Sequence, residues 1–65
     1  MYLMRTKTMT ELSVCISVAQ EMETAFSIGN YDTALNRAMD LRSRTTRLID
    51  MMSTVAAKPV TTMVA

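Results

Sequence analysis

The chain has 65 residues, a formal charge of +1, one cysteine and no histidine. A domain of this size buries a modest core, and it usually needs disulfides, a metal or a partner subunit to be stable. One cysteine and no histidine almost close the first two routes, so the composition favours association with another chain.

Targeting signals are missing from the start of the chain. Residues 1–9 contain neither the apolar core nor the small-residue cleavage site of a signal peptide. No uncharged stretch of the helical region approaches the roughly 20 residues that cross a bilayer. A lone cysteine also suits a reducing compartment. We therefore expect a cytoplasmic protein with no membrane partner.

Residues 1–8 show no clear periodicity and are expected to form a flexible N-terminal arm. The pattern Thr8-x-x-Glu11 matches a capping box, in which a hydroxyl and a carboxylate bond to each other's free backbone amides. The first helix is therefore predicted from about residue 9 to 28.

The first predicted helix has a wide apolar arc. Leu12, Cys15, Ile16, Ala19 and the residues that flank this stripe span roughly 200° of the helix, whereas a single neighbour covers about 100°. We therefore expect this helix to contact more than one neighbour.

A short turn separates the two predicted helices. Gly29 is the one glycine of the chain and is suited to positive φ beyond a helix end, while Asn30 can cap the next helix and Asp32 lies near its positive end. So short a connection makes the two helices antiparallel neighbours.

The second helix is predicted from about residue 31 to 57, before Lys58-Pro59 stops it. Its apolar spacing is interrupted at Arg42, Thr45 and Thr46. This polar waist either fixes register in a long seam or marks where the shorter first helix stops covering the second. Residues 9–58 thus form the predicted hairpin domain, and 59–65 are expected to be a flexible tail.

The predicted fold is all-α: an antiparallel helical hairpin that dimerises into a four-helix bundle. The apolar positions of both helices are assigned to its core and its dimer interface. They are Leu12, Cys15, Ile16, Val18, Ala19, Met22, Phe26, Tyr31, Leu35, Ala38, Leu41, Leu48, Ile49, Met52 and Val55.

Arginines of the second helix are the main candidates for partner binding. Arg37, Arg44 and Arg47 share one predicted outward face, as in a phosphate-binding helix. Asp40 and Asp50 follow at three- and four-residue spacings and favour ion pairs within that face instead. An acidic first helix beside this basic one also suits pairing within the hairpin.

Cysteine and methionine are read mainly as core residues. Cys15 lies on the apolar stripe without nearby positive charge, which favours a core thiol over a redox or cross-dimer role. Most methionines would fill core gaps, but Met51 is predicted to project away from the seam, toward a partner-recognition surface or a second interface.

No constellation of residues indicates catalysis. Neighbouring helix positions point about 100° apart, so Glu21 and Glu23, two positions apart, do not share a face, and no histidine or nucleophile accompanies them. No catalytic residue, metal site, cofactor or small-molecule substrate is therefore predicted.

The segment from Gly29 to Leu35, with Ala38 and Leu41, is similar to the inter-helix turn and second helix of a tetratricopeptide repeat. The likeness covers about a dozen residues of one unit, whereas such arrays need about three. The second helix is too long for that repeat and no second copy follows, so the resemblance implies a shared hairpin chemistry. A dimer of hairpins also resembles known plasmid regulators, at the level of fold alone.

These features predict a small, non-enzymatic homodimeric regulator or adaptor that modulates a partner protein, of the size common among phage and plasmid accessory proteins. Two alternatives remain open: a nucleic-acid-binding bundle that uses the arginines, and a small subunit of a larger assembly.

Overall fold

Two long helices make up the fold. The computed structural model describes residues 2–57, apart from the side chain of Tyr2. Helix α1 spans Tyr2–Ser27 and helix α2 spans Tyr31–Ala56, and the two pack against each other as an antiparallel hairpin. The predicted all-α hairpin is confirmed. The tail predicted at residues 59–65 lies outside the described residues.

The turn follows from its sequence. Gly29 has a φ of 82°, and the Asn30 amide donates to the Ala25 carbonyl oxygen at 2.8 Å while the Gly29 amide donates to Phe26 at 3.1 Å. These two bonds form a Schellman motif, which a glycine at positive φ permits. The Asn30 side chain then accepts a hydrogen bond from the Thr33 amide and caps α2, as predicted.

The predicted start of the first helix near residue 9 is wrong. Helix α1 begins at Tyr2, so residues 2–8, expected as a flexible arm, are helical. The Thr8 hydroxyl does not form the predicted cap: it donates to the Met4 carbonyl oxygen at 2.7 Å, which satisfies it inside the helix. Because α2 is also 26 residues long, the seven added residues let α1 cover it over its full length.

A strict seven-residue pattern forms the seam between the helices. Every position of this pattern is buried or half-buried. On α1 these are Met4, Thr8, Glu11, Cys15, Val18, Met22 and Ala25, and on α2 they are Ala34, Arg37, Leu41, Arg44, Leu48, Met51 and Val55. Such spacing keeps one narrow stripe of each helix facing the other, as in an antiparallel coiled coil.

The seam corrects two further expectations. Met51 occupies a seam position and is half-buried, so its predicted projection away from the seam is wrong. The polar waist at Arg42 does not mark the end of a shorter first helix, because the two helices are equally long. Neither α1 nor α2 contains a stretch long and apolar enough to cross a membrane.

Candidate interaction surface

The hairpin has two broad faces, one on each side of the seam, and the two differ in chemistry. Residues next to the seam on one side are mostly apolar, and those on the other side are mostly polar or charged, with Val14 and Ile28 among them. We call these the apolar face and the polar face. The seam is a narrow stripe of contact between the two helices. Packing along it therefore leaves both faces of each helix uncovered.

The apolar face begins beside the turn. A groove there is lined by Met22, Glu23, Phe26, Tyr31 and Leu35, together with small residues of both helices. The rings of Phe26 and Tyr31 meet edge to face across the turn, with centroids 5.1 Å apart. Phe26 is still 64% exposed and Leu35 60% exposed. The hairpin alone therefore leaves large side chains of this groove in water.

The apolar face continues along α2. A second groove runs past Ala38, Leu41, Arg42 and Ile49, with Thr45 and Thr46 on the same surface. Met52 is exposed and lies seven residues beyond Thr45, on the same side of α2. The predicted polar waist thus lies within this face, on the uncovered side of α2.

On α1 the same side of the helix carries a matching stripe. Ala19 and Leu12 lie seven and fourteen residues before Phe26, and Ile16 and Met9 precede Glu23 at the same intervals. Met9 and Ile16 are exposed, whereas Leu12 and Ala19 are half-buried. The apolar face therefore extends over most of the hairpin length on both helices.

This arrangement divides the predicted interface residues into two sets. Six of them lie in the seam and hold the hairpin together: Cys15, Val18, Met22, Leu41, Leu48 and Val55. The others lie on the apolar face: Leu12, Ile16, Ala19, Phe26, Tyr31, Leu35, Ala38, Ile49 and Met52. Part of the wide apolar arc predicted for the first helix thus packs in the seam, and the rest lies on the apolar face.

The polar face is held by ion pairs between the helices. The Arg37 Nε atom lies 2.8 Å from a Glu21 carboxylate oxygen. Arg44 contacts Asp40 at 3.2 Å and reaches across the seam to Glu11 at 3.5 Å. The hydrogen bond to Asp40, with its negative charge, raises the pKa of Arg44 above its ordinary value. Pairing between an acidic α1 and a basic α2 is therefore observed.

The predicted arginine face is divided by these contacts. Arg37 and Arg44 are half-buried at the seam and reach toward carboxylates of α1, instead of projecting outward together. Arg47 is exposed and makes no ion pair with another described residue. The expected pairing with Asp40 is present, whereas Asp50 forms no ion pair within residues 2–57. A phosphate-binding triad is therefore not assembled on this surface.

The remaining candidates have clear positions. Cys15 is buried in the seam, where the sequence placed it. Glu21 lies on the polar face and Glu23 on the apolar face, so the two carboxylates are separated. The sequence analysis assigned Glu11 to a helix cap and missed its place in the seam, where its side chain is only 14% exposed and pairs with Arg44. The seven-residue spacing that joins Glu11 to Val18 and Ala25 was the available signal.

The chain was compared with known proteins by sequence and by structure. No protein-family model, curated protein or solved structure matches it.

Proposed function

We propose that the chain is a non-enzymatic protein-interaction module that acts as a homodimeric regulator or adaptor of another protein. One observation carries the proposal, namely the continuous apolar face of the hairpin, on which Phe26, Leu35 and Ile49 are exposed. Soluble monomers rarely leave contiguous apolar patches larger than a few hundred Å² in water. Exposed apolar side chains that recur along both helices of one face fit an interface.

A second copy of the chain is the occupant that the composition favours. The seam of one hairpin contains two arginines and a glutamate among small and medium side chains, so it forms a weak core by itself. Covering the apolar face with an identical face would give each helix two apolar neighbours, as in a four-helix bundle. This agrees with a first helix whose apolar arc is too wide for one neighbour.

The polar face is the surface that stays available to a regulated partner. In a dimer joined through the apolar faces, the Glu21–Arg37 pair and Arg44 remain on the outside. Charged groups at such a surface select partners and orient them more than they add affinity. A small adaptor of this kind would suit a phage or plasmid accessory protein.

The ion pairs count against the nucleic-acid alternative. Binding to phosphates needs arginines that are free to contact them. Two of the three candidates, Arg37 and Arg44, are engaged by carboxylates of the same chain. The third possibility, a subunit of a larger assembly, would use the apolar face for a different protein.

Light scattering coupled to size exclusion, over a range of concentrations, tests the homodimer. We expect twice the chain mass of 7.3 kDa at micromolar concentration. A well-folded monomer would overturn the homodimer, and a helix content that falls on dilution without any dimer would favour the larger assembly.

The regulated partner is tested separately by capture from a host lysate with the tagged dimer. The comparison variant exchanges the two charges of the pair on the polar face, Glu21→Arg with Arg37→Glu. It keeps the ion pair between the helices but reverses which helix carries the positive charge. A partner that binds the polar face should be lost with this variant, while the dimer persists. Recovery of the homodimer alone would contradict the adaptor role.

A further inference from the structure

We propose that two copies join through their apolar faces with the two turns at opposite ends of the bundle, overlapping along the full helix length. This orientation rests on the proposed homodimer and specifies its geometry. The two-fold axis would lie across the helices, so that α1 faces α1 of the second copy and α2 faces α2. Three observations carry it: the size of the face, the match of side-chain sizes, and the position of its charges.

The area of the face is sufficient for a stable dimer only when the overlap is nearly complete. Each helix has 26 residues and is therefore about 39 Å long. With helix axes about 10 Å apart, the face measures roughly 40 by 20 Å, or about 800 Å². This equals the area that each partner buries in a standard interface, about 800 Å². The overlap must therefore be centred near the middle of both helices.

When the two turns lie at opposite ends and the helices overlap fully, each helix packs antiparallel to the same helix of the second copy. A residue before the middle of the helix then meets the residue that lies equally far beyond the middle in the second copy. On α2, which spans Tyr31–Ala56, this places Leu35 against Met52 of the second copy and Ala38 against Ile49. Leu35, Ile49 and Met52 are exposed in the single hairpin. A small side chain thus meets a large one at Ala38, which lets the two helices pack without a void.

The same rule applied to α1 gives charge complementarity. Helix α1 spans Tyr2–Ser27, so Glu23, the one acidic side chain on the apolar side of α1, comes level with Thr6 of the second copy and lies one residue, about 1.5 Å along the axis, from the level of Arg5. The long Arg5 side chain, on the same side of α1, spans that offset. Ala19 likewise lies one residue from the level of Met9. Both Glu23 and Arg5 are exposed, and neither forms an ion pair with another residue of the described chain. The two-fold axis repeats each contact, so the dimer gains two Glu23–Arg5 pairs at its rim.

Arg42 is the one basic side chain on the apolar side of α2. In this orientation it lies near the axis and opposite Thr45 of the second copy, whose hydroxyl oxygen can accept a hydrogen bond from the guanidinium. The polar waist then meets its own counterpart in the dimer. A polar layer of this kind fixes register in helical bundles.

The opposite orientation, with both turns at one end, matches poorly. It would place α1 over α2 of the second copy. The observed Arg37–Glu21 and Phe26–Tyr31 contacts show which residues of the two helices lie at the same height along the helix axes, and these residues would face each other. Glu23 would then face Leu35, and Ala19 would face Ala38. A carboxylate against an apolar side chain loses solvation without a partner, and two facing alanines leave a void.

Spin labels at the turn measure the orientation directly. Ile28→Cys places a label on an exposed turn residue, and Cys15→Ala removes the one native thiol. The fourteen residues from Ile28 to the middle of α1 correspond to about 21 Å, so opposite turns put the labels roughly 42 Å apart. Turns at one end would put them within about 20 Å, since neighbouring helices lie about 10 Å apart.

Charge exchange provides an independent readout of the register. Glu23→Arg or Arg5→Glu alone should weaken the dimer by about 5- to 30-fold, because two rim attractions become two repulsions. The two changes together should restore the dissociation constant to within about 3-fold of the original chain. Lys7→Glu is the matched control: it changes the same charge two residues from Arg5, on the polar side of α1, and should leave dimerisation unchanged.

The outcomes separate this inference from the proposed function. A dimer with a short label distance, or one in which the double exchange fails to restore binding, would overturn the orientation and leave the homodimer standing. A chain that stays monomeric in light scattering would overturn both. A long label distance with restored binding in the double variant would support both.

Discussion

Leu35→Ser tests whether the apolar face is a dimer interface or an ordinary exposed surface. Leu35 lies in the groove of the apolar face beside the turn and is 60% exposed in the hairpin. Burying a leucine side chain fully contributes about 1.5–3 kcal/mol, so covering the exposed part contributes roughly 1–2 kcal/mol in each copy. The dimer contains two such side chains, and the variant should lose about 2–4 kcal/mol of association free energy, or about 30- to 1000-fold in the dissociation constant.

Sedimentation equilibrium over nanomolar to millimolar concentrations measures this constant for each variant. Met39→Ser is the matched control, because Met39 lies on the same helix and is 50% exposed but lines neither groove of the apolar face. Both changes replace a good helix former with serine, so their cost to α2 itself is similar, about 0.5 kcal/mol. Equal dissociation constants for the two variants would refute the assignment of the apolar face as an interface.

The seam and the turn give further expectations, each measured by urea unfolding followed by circular dichroism at one fixed protein concentration. Replacing Glu11 or Arg44 alone with leucine should lower the free energy of unfolding, because the other charge keeps its place at the seam without its partner, whereas replacing both should be neutral or stabilising. Equal losses in the single and double variants would contradict this role in the seam. Gly29→Ala should cost about 1 kcal/mol through its φ of +82° alone, since no atom lies within 4 Å of the added Cβ, and a neutral result would argue against the turn geometry. Asn30→Ala should cost about 1 kcal/mol through loss of the cap on α2, and Asn30→Asp should retain most of it. Leu48→Ala should cost about 2–3 kcal/mol because Leu48 is buried, and a cost below 0.5 kcal/mol, as at a surface position, would contradict its place in the seam.

The turn and the helix ends around it were predictable because few residues can form them. Gly29 and Asn30 adopt the conformation and the hydrogen bond expected of a helix end followed by a helix start. Helix α1 ends at Ser27 and helix α2 spans Tyr31–Ala56, each within one residue of the predicted boundary. Local chemistry determines these positions, so the sequence sufficed.

The start of α1 was mispredicted because local chemistry misleads there. Thr8 and Glu11 match a cap, but the Thr8 hydroxyl is satisfied within the helix and Glu11 is used by Arg44 on the other helix. The helix reaches back to Tyr2, level with the C-terminal end of α2, and that requirement becomes visible only once the hairpin is formed. Packing of the second helix therefore outweighs the weak helical signal of residues 2–8.

The division of apolar residues into seam and face also needed the structure. Leu48 and Ile49 are adjacent and equally apolar in the sequence, yet Leu48 is buried against α1 and Ile49 is exposed on the apolar face. A wide apolar arc does not by itself show which of its residues face the other helix, because two neighbours can divide the arc in several ways. The seven-residue spacing of Ala34, Leu41 and Leu48 contained the answer, but Arg37 and Arg44 at the intervening seam positions obscured it.

Intermolecular contacts between methyl groups test the apolar face as a homodimer interface most directly. In a sample that mixes isotope-labelled and unlabelled chains, isotope-filtered nuclear Overhauser spectra report only contacts between copies. We expect such contacts between Leu35 and Met52 and between Ala38 and Ile49, side chains that the hairpin leaves on its apolar face. Spectra without any contact between copies at these methyl groups, recorded at millimolar concentration, would contradict the interface.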